Sequence, residues 1–185
     1  MIEETLREAE DGMQKAVEFT RDEFGHIRSG RASAGLFNPI LVDYYGTPTP
    51  LQQLATIVIP EPRTVMITPF DPGAKANIDK ALRESDLGVN PSDDGNVLRI
   101  NLPALTQERR QEYVKLARTR AEEGRVTVRG VRRKAMDALA KMQKDGDVGE
   151  DEVRRQEEQV ENLTKKYVGE IDTLLEAKEK DLMEV

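Results

Sequence analysis

Five of the six arginines between positions 118 and 133 are the residues of this sequence whose spacing best suits a binding site. Arg118, Arg125 and Arg132 are seven residues apart, which places them on one flank of a helix with heptad packing, about 10 Å from one another. Arg129 and Arg133 widen this line by about one turn. Guanidinium groups bind phosphate oxygens bidentately, and few aromatic residues lie between these arginines. The pattern therefore predicts a surface that binds the backbone of structured RNA without reading its bases.

The charge of the chain is segregated in a way that supports this prediction. Residues 109–144 contain twelve Lys and Arg against four acids, whereas the whole chain has 28 basic and 35 acidic residues and a net charge of -7. A local positive field attracts polyanions even when the total charge is negative. The alternative is that these arginines pair with carboxylates of the acidic neighbouring helices and have no external partner.

Other kinds of chemistry have little support in the residues. His26 is the one histidine and there is no cysteine, which excludes thiol nucleophiles, disulfides and thiolate metal sites. No P-loop or Gly-x-Gly-x-x-Gly motif is present, and DGDVGEDE has Gly149 where a calcium loop needs an oxygen ligand. We therefore expect no catalytic residues, no metal and no cofactor. The lack of cysteine and the acidic start, MIEETLREAEDG, are typical of a cytoplasmic protein.

Three stretches with helical spacing of apolar residues must position the arginines. The first covers residues 2–27, the second runs from an N-cap at Thr106 to the turn KDGD, and the third follows that turn to the C-terminus. The second stretch has an unbroken seam of small and β-branched residues from Val114 to Met142. Because narrow apolar stripes are not stable alone, we predict that the three helices pack together as an elongated bundle.

Residues 31–104 predict a different kind of structure. Strands are indicated by four short segments rich in β-branched residues, namely PILVDYYGTPTP, LATIVIPEP, RTVMITPF and NVLRINLP. A short helix opened by Asp71 and Pro72 lies between the last two. The predicted fold class is therefore α+β, with a three-helix bundle domain at 1–30 and 105–185 and an inserted small α/β domain at 31–104.

The chain passes twice between these two predicted domains, so we predict a two-stranded hinge. Glycine and proline at both crossings are typical of such connections. The predicted hinge residues are Ser29, Gly30, Arg31, Gly35, Pro103, Ala104 and Leu105.

Several longer motifs resemble one family, the bacterial ribosome recycling factors. They are, in order, GRASAGLFNPILVDYYGTPTPLQQLA, PFDPGAKANIDKALRESDLGVNPSDDGNVLRINLPALTQERR and VRGVRRKA, and the resemblance covers essentially the whole chain. Ala104, Gln107 and Gly130 depart from the family pattern. A glycine inside a helix lowers its stability by up to about 1 kcal/mol, so Gly130 weakens the basic helix locally.

The resemblance implies an L-shaped monomer that binds the large ribosomal subunit of post-termination complexes and acts with elongation factor G. GTP hydrolysis by that partner then supplies the energy to separate the subunits and release messenger and transfer RNA, and the factor itself is not an enzyme. The six arginines predicted to bind ribosomal RNA have two origins. The resemblance implies Arg110, Arg129 and Arg132, and the charge argument adds Arg118, Arg125 and Arg133.

A coiled-coil interaction protein, or a holdase that binds protein clients, is the alternative to RNA docking. Such a protein would expose apolar surface and bind with weak salt dependence, whereas affinity for RNA falls steeply as salt rises. A hydrolase in the α/β domain would need a nucleophile with a neighbouring base, and the sequence has no such set.

Overall fold

The structure is a computed structural model that describes residues 1–184. The helices are α1 (Ile2–Gly25), α2 (Lys75–Glu84), α3 (Gln107–Lys144) and α4 (Glu150–Met183). The strands are β1 (Leu41–Tyr44), β2 (Thr47–Pro50), β3 (Ala55–Glu61), β4 (Thr64–Pro69), β5 (Ser92–Asp94) and β6 (Val97–Asn101). This combination of long helices with an inserted sheet confirms the predicted α+β architecture.

The chain divides into two compact units. The helical unit contains Met1–Ile27 and Gln111–Met183, and the sheet unit contains Arg28–Arg110 together with Glu184. The two crossings between the units therefore lie a few residues away from the boundaries drawn from the sequence. No helix among residues 1–184 is long and apolar enough to cross a membrane.

The helical unit is held together by the apolar seams of α1, α3 and α4. One cluster of buried side chains is built around Met13, Val128 and Ile171, and a second continues the core around Leu139 and Val160. Amphipathic helices depend on such packing because an isolated helix of this composition is only marginally stable in water. The seam read from the sequence of α3 is therefore the face that the structure buries.

The sheet unit contains a four-stranded antiparallel sheet, ordered β3-β4-β6-β5, and a separate hairpin of β1 and β2. Its core includes Phe37, Leu51, Ile67, Ile78 and Leu98, so the sheet and α2 share one apolar layer. A short 3-10 turn at Pro72–Ala74 precedes α2. The prediction of a short helix after the third strand segment is confirmed.

Two details of the sheet unit differ from the sequence prediction. The segment PILVDYYGTPTP, expected to form one strand, contains both β1 and β2, which pair from Tyr44 opposite Thr47 to Leu41 opposite Pro50. Its centre is a two-residue turn, and such tight turns favour hairpins over continuous strands. The short strand β5 was not predicted because Ser and Asp have low strand propensity. It pairs with β6 at the edge of the sheet.

Candidate nucleic-acid interface

Helix α3 carries all six arginines predicted to bind RNA, and a defined cap or turn marks each of its ends. Thr106 Oγ1 accepts a hydrogen bond from the backbone N–H of Arg109 at 3.1 Å, as an N-cap residue does, which confirms the predicted start. The helix continues for 38 residues to Lys144, and Gly146 follows with a φ of 77°. Glycine adopts this left-handed conformation without steric penalty, so the chain turns toward α4 there.

The three arginines at heptad spacing bind carboxylates of α4. Arg118 Nε lies 2.5 Å from Glu179, Arg125 Nε lies 2.7 Å from Asp172, and Arg132 Nε lies 2.8 Å from Glu161. The partners follow the reverse order along the chain, so the antiparallel helices α3 and α4 are joined by a ladder of ion pairs. Intramolecular pairing, the alternative left open by the sequence, is therefore realised at these three positions.

The heptad register explains this pairing. Val128 and Val131 occupy the a and d positions of the α3 seam, which places Arg118, Arg125 and Arg132 at e. Side chains at e and g flank the seam and form salt bridges between helices. A seven-residue repeat beside the seam therefore predicts contacts within the bundle more strongly than contacts with an external ligand.

Arg125 is the most enclosed member of this ladder, with 18% of its side chain exposed. Burial alone would lower the pKa of Arg125, but hydrogen bonds to Asp172 and Glu122 outweigh that effect and raise the pKa. Arg118 and Arg132 keep 64% and 40% of their side chains exposed. Only their Nε atoms have partners among residues 1–184, so the outer edges of both guanidiniums remain available.

We expect Arg125→Ala to lower the free energy of unfolding by about 1–2 kcal/mol, because it removes two charge-assisted hydrogen bonds and the packing of a mostly buried stem. The matched control is Arg118→Ala, which removes a single exposed ion pair and should change stability by less than about 1 kcal/mol. Urea denaturation of both variants measures the difference. Equal losses would show that burial does not set the strength of the ladder.

Arg129 and Arg133 lie one position further round the helix, on its outer face. Arg129 has 52% of its side chain exposed and one contact, at 3.4 Å, with Glu122. Arg133 is exposed and has no hydrogen bond or ion pair within residues 1–184. These two residues occupy heptad positions b and f, which face solvent in a bundle. They are the arginines best placed to bind an external anion.

Three lysines that the sequence analysis counted only as charge add to the positive charge of α3, one at heptad position c and two at position g. They are exposed and have no partner in the part of the chain that the structure describes; they are Lys134, Lys141 and Lys144. We call the set of Arg129, Arg133 and these three lysines the outer basic face. The sequence analysis named Arg129 and Arg133, whereas the three lysines are not regularly spaced and entered only through the charge balance.

Arg110 has a different environment from the other predicted RNA-binding residues. The residue is buried, with 8% of its surface exposed, and its Nε atom has no hydrogen-bond partner among residues 1–184. A buried guanidinium does not reach a polyanion in this conformation. Arg110 also falls in the sheet unit rather than in the helical unit.

The residues predicted to form the hinge lie in segments without helix or strand, apart from a short 3-10 turn that contains Gly35. Arg31 forms an ion pair with Glu184 at 2.9 Å, and the carbonyl of Pro103 accepts a hydrogen bond from Arg28. Leu105 is buried, with 7% exposed. Neither Gly30 nor Gly35 adopts a positive φ, so the conformation itself does not require glycine at either position.

The other predicted hinge residues make few side-chain contacts. Ser29 Oγ accepts a hydrogen bond from the backbone N–H of Arg31, and Ala104 is exposed. Within residues 1–184 no group of three or more His, Cys, Asp or Glu side chains is arranged to hold a metal ion, and His26 is exposed. The hinge therefore stays a prediction, and the outer basic face is the clearest candidate for ligand binding.

Comparison with known proteins agrees with the resemblance noted in the sequence. A profile described as "Ribosome recycling factor" matches residues 20–183. The ribosome-recycling factors of Beutenbergia cavernae and Streptomyces coelicolor are 63% and 54% identical to this chain, and each alignment covers 100% of both proteins.

Two solved structures are similar along the whole chain. A solution structure of the ribosome recycling factor has a TM-score of 0.81 at 44% identity and matches 100% of this chain and 98% of its own. A T. thermophilus ribosome recycling factor, placed with E. coli elongation factor G on the E. coli post-termination complex, has a TM-score of 0.70 at 40% identity, with 100% of both chains covered. Because the profile and the relatives match essentially the full length, this chain belongs to the ribosome recycling factor family.

Proposed function

We propose that this protein binds the large subunit of post-termination ribosomes and, together with elongation factor G, separates the subunits and frees messenger and transfer RNA. The observation that carries the proposal is the identity of 54–63% over the full length to named ribosome-recycling factors. The similar T. thermophilus factor is described with elongation factor G on a post-termination complex. Members of this family are translation factors and not enzymes. GTP hydrolysis by elongation factor G therefore supplies the energy.

The outer basic face supports RNA docking as the first step. Its side chains can approach phosphate oxygens without first breaking strong internal ion pairs, because Arg133 has no described partner and Arg129 has only a long contact with Glu122. Arg132 adds a half-exposed guanidinium whose Nε is held by Glu161 while its outer nitrogens stay free. Such groups bind the RNA backbone by charge and shape.

The long helices suit the second step. A bundle with a continuous core transmits force along its axis, and α3 and α4 are further joined by their ladder of ion pairs. We propose that the sheet unit swings at the predicted hinge when elongation factor G acts on it. Two connecting segments restrict the direction of such a movement more than one would.

Light scattering of purified post-termination complexes tests the proposal. We expect the scattering to fall, as subunits separate, only when this protein, elongation factor G and GTP are all present. Binding to isolated large subunits should also weaken as salt rises. If binding ignored salt and denatured client proteins were held in solution instead, the chain would act as a holdase and the proposal would be wrong.

A further inference from the structure

The hairpin of β1 and β2 turns through an unusual residue. Tyr45 and Gly46 form the whole loop, with φ angles of 51° and 81°, and Tyr45 is the only residue other than glycine with a positive φ among residues 1–184. Two positive φ angles define a type I′ turn, for which Asn-Gly is the preferred pair. A bulky side chain in this conformation is strained, and such strain persists where the surroundings hold it.

The surroundings that hold Tyr45 are specific. The Tyr44 and Tyr45 hydroxyls both donate to Oδ2 of Asp71, at 3.0 and 3.3 Å. The two rings meet edge to face, with centroids 4.6 Å apart. Oδ1 of Asp71 accepts the backbone N–H of Gly73 at 2.9 Å, which ties this carboxylate to the 3-10 turn before α2. These bonds to Gly73 and Tyr44 also hold the pKa of Asp71 below its usual value.

This rigid arrangement does not bury the ring that it positions. Tyr45 is 80% exposed, and Phe70, which directly precedes Asp71, is 66% exposed. A strained aromatic residue that served packing alone would be expected inside the core. We call Tyr44, Tyr45, Phe70 and Asp71 the aromatic tip.

The charges around the aromatic tip indicate which partner it suits. Asp71 binds the Tyr45 hydroxyl, and the carboxylate of Asp43 accepts the N–H of Gly46, the other turn residue, at 2.8 Å. Lys75, at the start of α2, is already bound to Asp93 and to the carbonyl of Gly95. Carboxylates without a free cation repel a phosphate backbone, whereas exposed aromatic faces attract arginine and lysine side chains.

We propose that the aromatic tip is a docking surface for a protein that presents arginine or lysine side chains, reached when the chain sits in the post-termination complex. That this surface is reached in the post-termination complex rests on the proposed function. The aromatic tip itself is separate from the outer basic face and is acidic and aromatic rather than basic. The ring of Tyr45 stacks on a guanidinium or ammonium group, and Asp43 and Asp71 add a negative field. The positive φ of Tyr45 serves to aim the ring outward.

Site-specific crosslinking identifies the chemical class of the partner. The photoreactive residue p-azidophenylalanine replaces Tyr45 in the full chain, which is then irradiated in purified post-termination complexes with and without elongation factor G. We expect crosslinks to a protein, at a peptide that contains arginine or lysine. The matched control is the same residue at Val58, which is 50% exposed in β3. Crosslinks to ribosomal RNA, equal yields at both positions or no crosslink at Tyr45 would overturn the proposal.

Two substitutions separate docking from a structural role. Tyr45→Asn creates the preferred Asn-Gly turn, so it should leave the thermal midpoint unchanged or raise it, and yet slow subunit splitting about tenfold. Tyr45→Phe keeps the ring but loses the hydroxyl that Asp71 holds, so it should split subunits at a rate between those of the original chain and of Tyr45→Asn. Both should bind large subunits normally through the outer basic face. A normal rate of subunit splitting by Tyr45→Asn, or a lowered thermal midpoint of that variant, would contradict the docking proposal. If the original chain itself failed to split subunits, the proposed function would be wrong instead.

Discussion

Reversing the charge of Arg129 and Arg133 together should weaken binding to large ribosomal subunits about 100-fold at roughly 0.1 M salt. Both side chains extend from the outer face of α3, where Arg133 has no described partner and Arg129 has only a contact of 3.4 Å with Glu122. The double variant Arg129→Glu/Arg133→Glu replaces two attractions for phosphate by two repulsions. The slope of log affinity against log salt should also become shallower by about two, since two phosphate contacts are lost.

The matched control for this experiment lies on α4. Arg154 and Arg155 are exposed, at 73% and 71% of their side chains, and their reversal to glutamate changes the net charge by the same amount. We expect this control to bind large subunits nearly as the original chain does. If both double variants lost affinity equally, net charge alone would control binding, and the outer basic face would have no special role. Circular dichroism of both variants verifies that they remain folded.

Much of the fold follows from the apolar pattern. The seam of α3 reads from the sequence without interruption, and the structure buries it against α1 and α4. The switch to β-branched segments after α1 likewise marks the sheet unit. The pattern did not predict two local features. The first is the turn at Tyr45 and Gly46, which divides one apparent strand into two. The second is β5, whose polar residues pair only because β6 offers a free edge.

The candidate site shows a different limit of sequence reasoning. Arg118, Arg125 and Arg132 attracted attention through their regular spacing, but that regularity reflects the α4 carboxylates opposite them. Which acid faces which arginine depends on how α3 and α4 align, and that alignment is a property of the packed bundle. Arg133 shares the same charge block and is freer because it lies at a heptad position that no neighbouring helix covers. The heptad position of each arginine therefore predicts whether it pairs within the bundle better than the regular spacing does.

A close approach of α1 and α3 at Gly124 determines the second large effect. A Cβ atom added at Gly124 would lie 2.3 Å from Oγ1 of Thr20 and 3.1 Å from Cδ1 of Ile171. Thr20 is buried, with 1% exposed, and its hydroxyl donates to the carbonyl of Ala16 at 2.8 Å. To make room, Thr20 must give up this hydrogen bond or the helices must move apart. Gly124 is thus needed for its size, in the middle of the seam.

We expect Gly124→Ala to lower the free energy of unfolding by about 1–3 kcal/mol, although alanine raises helix propensity by up to about 1 kcal/mol. Gly169→Ala in α4 and Gly130→Ala in α3 are matched controls, because no atom beyond the local helix backbone lies within 4 Å of either added methyl group. Both should gain about 0.5–1 kcal/mol. Chemical denaturation measures the change in the free energy of unfolding for each variant. If steric contact between α1 and α3 governs the outcome, this change is negative for Gly124→Ala and positive for the two controls. A more stable Gly124→Ala variant would show that the interface between α1 and α3 relaxes at little cost. Such a bundle would be too flexible to transmit force, as the proposed function requires.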